Sequence, residues 1–461
     1  MSDAYRAAVA DAVAGPWRFA GLHASGGGHL VNVALAAPDG RVRMETVAVT
    51  QGSVPTIVDL APAAAWDERE AADLYGVAFA GHQPLRPLVE HDLQLGNWTV
   101  PVHGRDAYQV AVGPIHAGVI ESGHFRFHVV GDRILHVDAR LFYKHRGLER
   151  AAEGRTLEEG LAYAMRACAA CAVANSVAYA HACEEALGLR PTPDLARART
   201  ILLELERVWN HLNDIAAVCA GVGLAAGNSL FTALTERARR LNATLTGHRF
   251  LFGAVAVAEG RFALDADRAR AASDELAAIG EESRQGWRAL VFNSSFQDRL
   301  PGVGAITQQT ALALGAVGPA ARATGLPDDV RQAGERLAYD GFTAVVPADP
   351  TGDAGARLEQ RALELRQSFD LLDRLLAEPF AAGAAEAAQP GHAIGIGRVE
   401  SPRGATLCIV EQAEGRIERL RLRTGSYANW PVVAHAAAGN LLPDFPLINK
   451  SFELCYACAD R

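Results

Sequence analysis

The chain has 461 residues, 49% hydrophobic and 21% charged, with a formal net charge of −9. That is enough apolar material for a large core, and the length suits two to four domains, or one large domain with a small one beside it. A pI of about 5.9 argues against nucleic acid as a partner, which needs a basic face. Seven cysteines, with no secretory apolar run in the first twenty residues, argue against a disulfide framework and for a reducing compartment.

In chain order, residues 1–97 read as a small α/β domain. The segments at 30–36 and 42–50 alternate or run apolar like strands, punctuated by Gly26–Gly28 and Pro38-Asp39-Gly40. A short charged helix follows near 66–75, and a linker near Asn97–Gly104. Residues 98–461 then form a second, larger domain. It opens with a hairpin in which two alternating runs flank Gly131-Asp132. Past Gly147 the pattern becomes helical, with helices expected at 157–187, 195–219, 229–248, 266–290, 328–337 and 354–376. Ala381–Gly391 reads as a loop. Strands return at 394–399, 405–411 and 415–422, and a last helix lies near 430–439. The fold class is α+β: a small α/β domain, then a large, mainly helical domain with small β elements at both ends. Two stretches without formal charge, Ala167–Cys183 and Ile215–Thr235, could be taken for membrane spans. The first is only weakly apolar and the second is broken by glycines, so both read as buried helices. Any membrane contact is expected through partner subunits.

Four cysteines form two CxxC pairs, Cys168/Cys171 and Cys455/Cys458. At a helix start, positions i and i+3 share a face, so both sulfurs of the first pair can address one metal. Four thiolates make a soft ligand set suited to zinc, iron–sulfur, or nickel and iron. Other readings compete. Buried unligated thiols are common, and Cys183, Cys219 and Cys408 are read as such. Neither pair follows a thioredoxin-like strand. A zinc knuckle places its second pair nearby, whereas more than half the chain separates these two. Spacing alone leaves a shared metal site and separate buried thiols both open.

The surrounding residues carry a resemblance. Arg166–Tyr179, with Cys168, Cys171 and Asn175, resembles the first motif of NiFe hydrogenase large subunits, R-x-C-G-x-C-x-x-x-H. Ser451–Arg461, with Cys455 and Cys458, resembles the last, D-P-C-x-x-C-x-x-H/R. Glu400–Gly404 looks like the family's arginine motif. Gly113–Arg126, containing His116 and Glu121, resembles the opening of the membrane-bound, formate-hydrogenlyase type, whose relatives include a quinone-side subunit of respiratory complex I. Residues 66–88, with Glu68, Arg69, Glu70, Asp73, Gly76 and His82, resemble a second complex I peripheral subunit fused N-terminally in that type. The five segments stand in the family's order along nearly the whole chain.

The resemblance implies a NiFe hydrogenase-type oxidoreductase, catalysing reversible heterolytic hydrogen activation, or proton reduction, at a Ni-Fe centre whose iron carries carbonyl (CO) and cyanide (CN) ligands. It implies Cys168 and Cys455 as terminal nickel ligands and Cys171 and Cys458 as bridges to iron. Arg403 would lie over the open metal position, and Glu121 would pass protons outward from a terminal thiolate. His116 and His181 are secondary candidates. Arg207, Asn210, His211 and Asp214 fall near one face of a helix with apolar flanks and read as a supporting hydrogen-bond network. An iron–sulfur small subunit is implied, because four cysteines are committed and the other three are scattered, as are membrane subunits of an energy-converting complex. The location implied is cytoplasmic, peripheral on the inner face of the cell membrane. No nucleic acid and no transmembrane segment of this chain are expected. The alternative is a complex I-like, quinone-side coupling subunit whose metal site is altered or unused. Two departures from the family pattern favour it, Asn175 for the first motif's His and Glu453-Leu454 for the last motif's Asp-Pro; Ala169 also replaces the first motif's Gly. Ile120 stands where the complex I relative has a second histidine, which weakens a quinone site. In the hydrogenase family an extension is removed after the residue matched by Arg461, so the resemblance implies a mature form or a member made without one.

Overall fold

The computed structural model describes residues 2–89, 98–116, 121–334 and 336–461. The expected domain boundary at 97/98 falls at the edge of these, the expected linker begins outside them, and Ile120 lies outside them.

The N-terminal unit begins with helix α1 (Ser2–Ala14) and an antiparallel sheet of β1 (Arg18–Ser25), β2 (Leu30–Ala36) and β3 (Val42–Ala48), in that order. The short strand β4 (Ser53–Pro55), helix α2 (Ala65–Tyr75) and β5 (Ala78–Ala80), which pairs parallel with β4, complete it. Val9, Leu22, Val31, Val33, Leu35, Ile57 and Phe79 fill its core. The pattern reading found β2, β3 and α2 but not α1 or β1. Among its described side chains, helix α1 buries only Tyr5, Val9 and Ala12, too thin an apolar stripe to stand out among alanines. Strand β1 turns His23 and Ser25 inward, against Asn32 of β2, so its polar residues break the alternation.

The large unit starts with β6 (Tyr108–Val112), β7 (His124–Val130) and β8 (Arg133–Arg140), an antiparallel sheet in that order. The hairpin turn at Gly131 has φ 56°, which glycine adopts without strain. Phe125, Phe127, Val129, Ile134 and Val137 pack from this sheet onto Trp430, Phe445 and Tyr456.

After α3 (Leu148–Ala152), the helix expected at 157–187 is two. Helix α4 (Leu157–Met165) starts with a capping box between Thr156 and Glu159, and α5 (Ala172–Ala186) turns 119° away from it. The break at 166–171 holds the first CxxC pair. Helix α5 is buried along nearly its whole length, which explains its lack of an amphipathic pattern. Strand β9 (Leu189–Pro191) leads to the long helices α6 (Pro193–Gly221), α7 (Ala225–Thr246) and α8 (Ala266–Val291), then the short α9 (Ser294–Gln297), α10 (Gln308–Ala313) and α11 (Pro319–Arg322), and then α12 (Ala354–Leu375). Helices α6, α7, α8, α9 and α12 share one core with α5, whereas Ala311 of α10 and Ala320 and Ala321 of α11 join the core of the β6–β8 sheet. The helix expected at 328–337 does not form. A 3-10 turn, Val330–Ala333, stands there. Asp329 bonds the backbone N–H of Arg331 and both that residue's guanidinium and Arg322, and these side-chain bonds compete with a helical backbone. The loop expected at 381–391 contains β10 (Ala385–Ala387), paired with β9.

Strands β11 (Ile394–Ser401), β12 (Gly404–Ala413) and β13 (Arg416–Arg423) form the last sheet. Helix α5 lies directly on β11. A Cβ at Gly395 or Gly397 would run into the carbonyl oxygens of Ala182 and Ala178, so glycine sets the approach. Helices α13 (Gly425–Ala437), α14 (Phe445–Phe452) and α15 (Ala457–Asp460) follow. No single helix among the described residues is long and apolar enough to cross a membrane. The uncharged stretch at 215–235 is the end of α6, a break, and the start of α7.

Ion pairs join the units. Asp67 of α2 meets Arg421 at 2.8 Å and Arg423 at 3.1 Å, and Glu70 meets Arg421 and Arg461, each at 2.6 Å. All five residues are buried.

Candidate metal centre

The α4–α5 break forms the first half of the site. Cys168, in extended backbone, caps a 3-10 turn over Ala169–Cys171, and its sulfur accepts from the Ala170 N–H at 3.2 Å. Cys171 stands at the N-cap of α5. The two sulfurs are therefore presented by a turn before the helix, not by one helix face. The second half lies between α14 and α15. Glu453 ends α14 in the left-handed conformation, φ 48°, turning the chain without the family's proline. Cys455 N–H then donates to Ser426 Oγ at 3.1 Å.

These elements bring the pairs together. The Cys168 and Cys455 sulfurs are 3.0 Å apart. Those two and the Cys458 sulfur all lie within 4.8 Å of one another, an arrangement that could hold a metal ion. Cys171 is buried against Cys168 and Cys458 in the same cluster. Cys183, Cys219 and Cys408 are buried elsewhere, and burial holds the Cys183 and Cys219 thiols up at about 12.

The donor set fits a metal group. Bonds from Cys168 and Cys458 draw the Cys171 thiol down to about 6. The bond with Cys168 pushes Cys455 up to about 12. Four adjacent thiols cannot all ionise without a cation between them, and metals take thiolates in their deprotonated form. Asn175, one turn past Cys171 and fully buried, leaves both side-chain amide atoms without a partner. A buried amide in that state needs something to bond to.

Arg403 follows β11 and forks onto Asp214 of α6 at 2.7 and 2.9 Å. Burial alone would lower its guanidinium. Asp214, Cys171, Glu453 and Cys455, in that order, raise it instead. Its Nε is buried without a partner. Glu121 sits where the chain enters the β7–β8 hairpin, and its carboxylate accepts the Ala457 N–H, between the two C-terminal cysteines, at 2.6 Å. Burial and the neighbouring Cys455 thiol raise its carboxyl above the ordinary range. His116 is tied back to the Gly123 carbonyl at 2.7 Å. His181 is buried on α5 with Nε2 unpartnered, and it lines a separate cavity.

The polar stripe on α6 is fully buried. Arg207 binds the backbone carbonyls of Glu400 and Ser401, Asn210 binds the Ala170 carbonyl, His211 meets Glu364 at 2.9 Å, and Asp214 also holds Arg361. The stripe thus fastens the arginine segment and the first cysteine turn to one helix. Two groups near the sulfurs were missed in the sequence. Glu206 accepts the free N–H groups of Val173 and Ala174 at the start of α5, at 2.7 and 3.1 Å, and burial pushes it up to about 8. Its only signal was its place one helical turn before Asn210. Glu453, noted only as a departure, is half-buried near Asp214 and Arg403 and pushed up to about 7, by desolvation first.

Residues 223–394 and 378–461 match the family described as the respiratory-chain NADH dehydrogenase 49 Kd subunit, which accounts for just over half of the chain. The chain belongs to that family. Residues 21–101 of this 49 Kd family member also match the family of the respiratory-chain NADH dehydrogenase 30 Kd subunit. The chain is similar to formate hydrogenlyase subunit 5 of Escherichia coli, 29% identical over 91% of this chain and 79% of that one. It is similar to an NADH-quinone oxidoreductase subunit of Phocaeicola vulgatus, 25% identical over 70% and 69%. Among solved structures it resembles a chain in the structure of the membrane-bound sulfane sulfur reductase, an archaeal respiratory membrane complex, with TM-score 0.70, 26% identity, and coverage of 77% and 99%. The formate-hydrogenlyase type inferred from the motifs is thus the type to which the chain is similar, and its relatives are named as parts of oxidoreductase systems.

Proposed function

We propose that this chain is the metal-holding large subunit of a membrane-associated NiFe hydrogenase-type complex. The observation that carries the reading is the meeting of the two CxxC pairs, with Glu121 and Arg403 beside them. Cys168, Cys171, Cys455 and Cys458 hold the centre, which, when bound, supplies a Lewis-acidic site for splitting hydrogen heterolytically. Arg403, fixed by its fork onto Asp214, places a permanent positive charge beside the sulfurs. Glu121, with its carboxyl raised by burial, accepts a proton at its carboxylate from the side of Cys455 and releases it outward. The buried α6 stripe keeps water from the arginine and holds its geometry. An iron–sulfur partner takes electrons away, and membrane subunits anchor the complex on the inner face of the cell membrane. The names of two relatives support a place in a membrane complex.

Nickel and iron content of the purified complex tests this. Near-stoichiometric metal is expected. Cys→Ala at any of the four positions should abolish bound nickel, while Cys183→Ala should keep it. Metal content indifferent to the four changes would overturn the proposal. Two observations favour a second reading, a complex I-like coupling subunit: both family matches are to NADH dehydrogenase subunits, and Asn175 cannot titrate where the hydrogenase motif has His. That reading requires no nickel, so the same measurement separates the two.

A further inference from the structure

A second site lies away from the sulfurs, where the N-terminal unit meets β11 and β12. A cavity of about 400 Å³ opens there, with Trp17, Phe19, Leu60 and Leu407 among its walls. Interfacial cavities of this size suit small ligands. Arg398 of β11 lines it, and on its other side lines a more polar cavity of about 320 Å³ with His181 and Arg336. Among the described residues, the Arg398 side chain makes no hydrogen bond or ion pair, although nearly every other arginine of this interior is paired. The acids around it are engaged elsewhere: Glu400 with Arg322 at 2.9 Å, and Asp329 with Arg322 and Arg331 at 3.0 and 2.7 Å. Asp328 lines the apolar cavity too, out of ion-pair reach of Arg398. Partial burial depresses the Arg398 guanidinium, and Glu400, Asp328 and Asp329 offset this only from a distance. An arginine keeps its proton in proteins, so this half-buried guanidinium presents a permanent charge, not neutralised by a bonded acid, to whatever enters the cavity. The cation therefore has no bonded counter-charge among the described residues, and Trp17, Phe19, Leu60 and Leu407 give the space beside it an apolar wall.

We propose that this cavity binds a small anionic amphiphile, with its carboxylate on Arg398 and its hydrocarbon body against Trp17, Phe19 and Leu407. The site is separate from the cysteine cluster, and its occupancy does not depend on metal.

The test is calorimetric titration of the full-length protein with decanoate, decanol and inorganic phosphate. Decanoate should bind saturably at one site, with decanol and phosphate each roughly 10- to 100-fold weaker, the scale of a hydrogen bond to a charged group. Arg398→Leu should remove the preference for decanoate over decanol, and Arg398→Lys should keep part of it. Asp328→Asn, which deletes a like charge facing the ligand, should tighten decanoate severalfold. Leu312→Trp adds bulk to the exposed part of the cavity wall and leaves Arg398 in place, and should weaken decanoate while the fold is retained. Decanoate binding equal in wild type and Arg398→Leu, phosphate binding as tightly as decanoate, or loss of binding in Asp328→Asn would each overturn the proposal.

Discussion

Glu121 joins the hairpin entry to the C-terminal cysteines through one hydrogen bond to the Ala457 N–H. Its carboxyl is raised by burial and by the Cys455 thiol, which favours a group able to take up and release protons near neutrality. Glu121→Gln keeps the size and the acceptor oxygen for Ala457 but cannot titrate. Nickel content should therefore stay at the wild-type level while hydrogen turnover falls roughly 10²-fold, the scale of general acid–base groups. Hydrogen–deuterium exchange measured alongside metal content checks this, and near-normal exchange would mean that the proton leaves another way. The residue's identity was legible in the sequence through its motif. Its partner was not, because Ala457 is more than three hundred positions away. Glu206 shows the converse. No motif marks it, and only the packing of α6 against the start of α5 turns a mid-helix glutamate into a cap for the cysteine turn.

At the scale of elements, the position of the first CxxC pair depends on how closely α5 approaches β11. That approach passes through Gly397, where a methyl group would meet the Ala178 carbonyl oxygen. The contact is with backbone, so no rotamer change relieves it. Gly397→Ala should destabilise the protein by roughly 1–3 kcal/mol or more, the range for overpacking a tight interior, and should also lower metal occupancy by shifting the Cys168–Cys171 turn. Chemical denaturation and metal analysis of the variant check both, whereas a wild-type midpoint with full metal would show that α5 is free to move. The uncharged run at 167–183 was legible as a buried element. The break inside it was not, since neither Gly nor Pro stands between Met165 and Ala172. The turn instead rests on Asn210 holding the Ala170 carbonyl and Glu206 holding the N–H groups beyond.

For the whole molecule, the N-terminal unit supplies none of the four sulfurs yet reaches toward them. Glu70 of α2 pairs with Arg461, three residues past Cys458, and with Arg421 of β13. Removing one member of a buried pair leaves the other charge uncompensated. Glu70→Ala should cost roughly 3 kcal/mol or more of stability while leaving the nickel stoichiometry of folded protein unchanged, because Glu149 still holds Arg461 at 2.6 Å. Thermal unfolding with metal analysis of the soluble fraction measures both, and folded protein that has lost its metal would make the N-terminal unit part of the centre's support.

The sequence by itself determined the α+β class, most of the long helices, the β7–β8 hairpin and the three C-terminal strands, because these rest on periodicity and turn residues, which are local. It also supplied the four cysteines, Glu121 and Arg403, because their motifs are short and stand in a fixed order. Only the tertiary structure decided that the two CxxC pairs share one place, that Arg403 is forked onto Asp214, that the segment at 328–337 surrenders its helix to the Asp329 ion pairs, and that Arg398 is left without a counter-charge. Each of these depends on which distant charges and carbonyls come within a few ångströms of one another, and a linear pattern of residue types does not encode that distance.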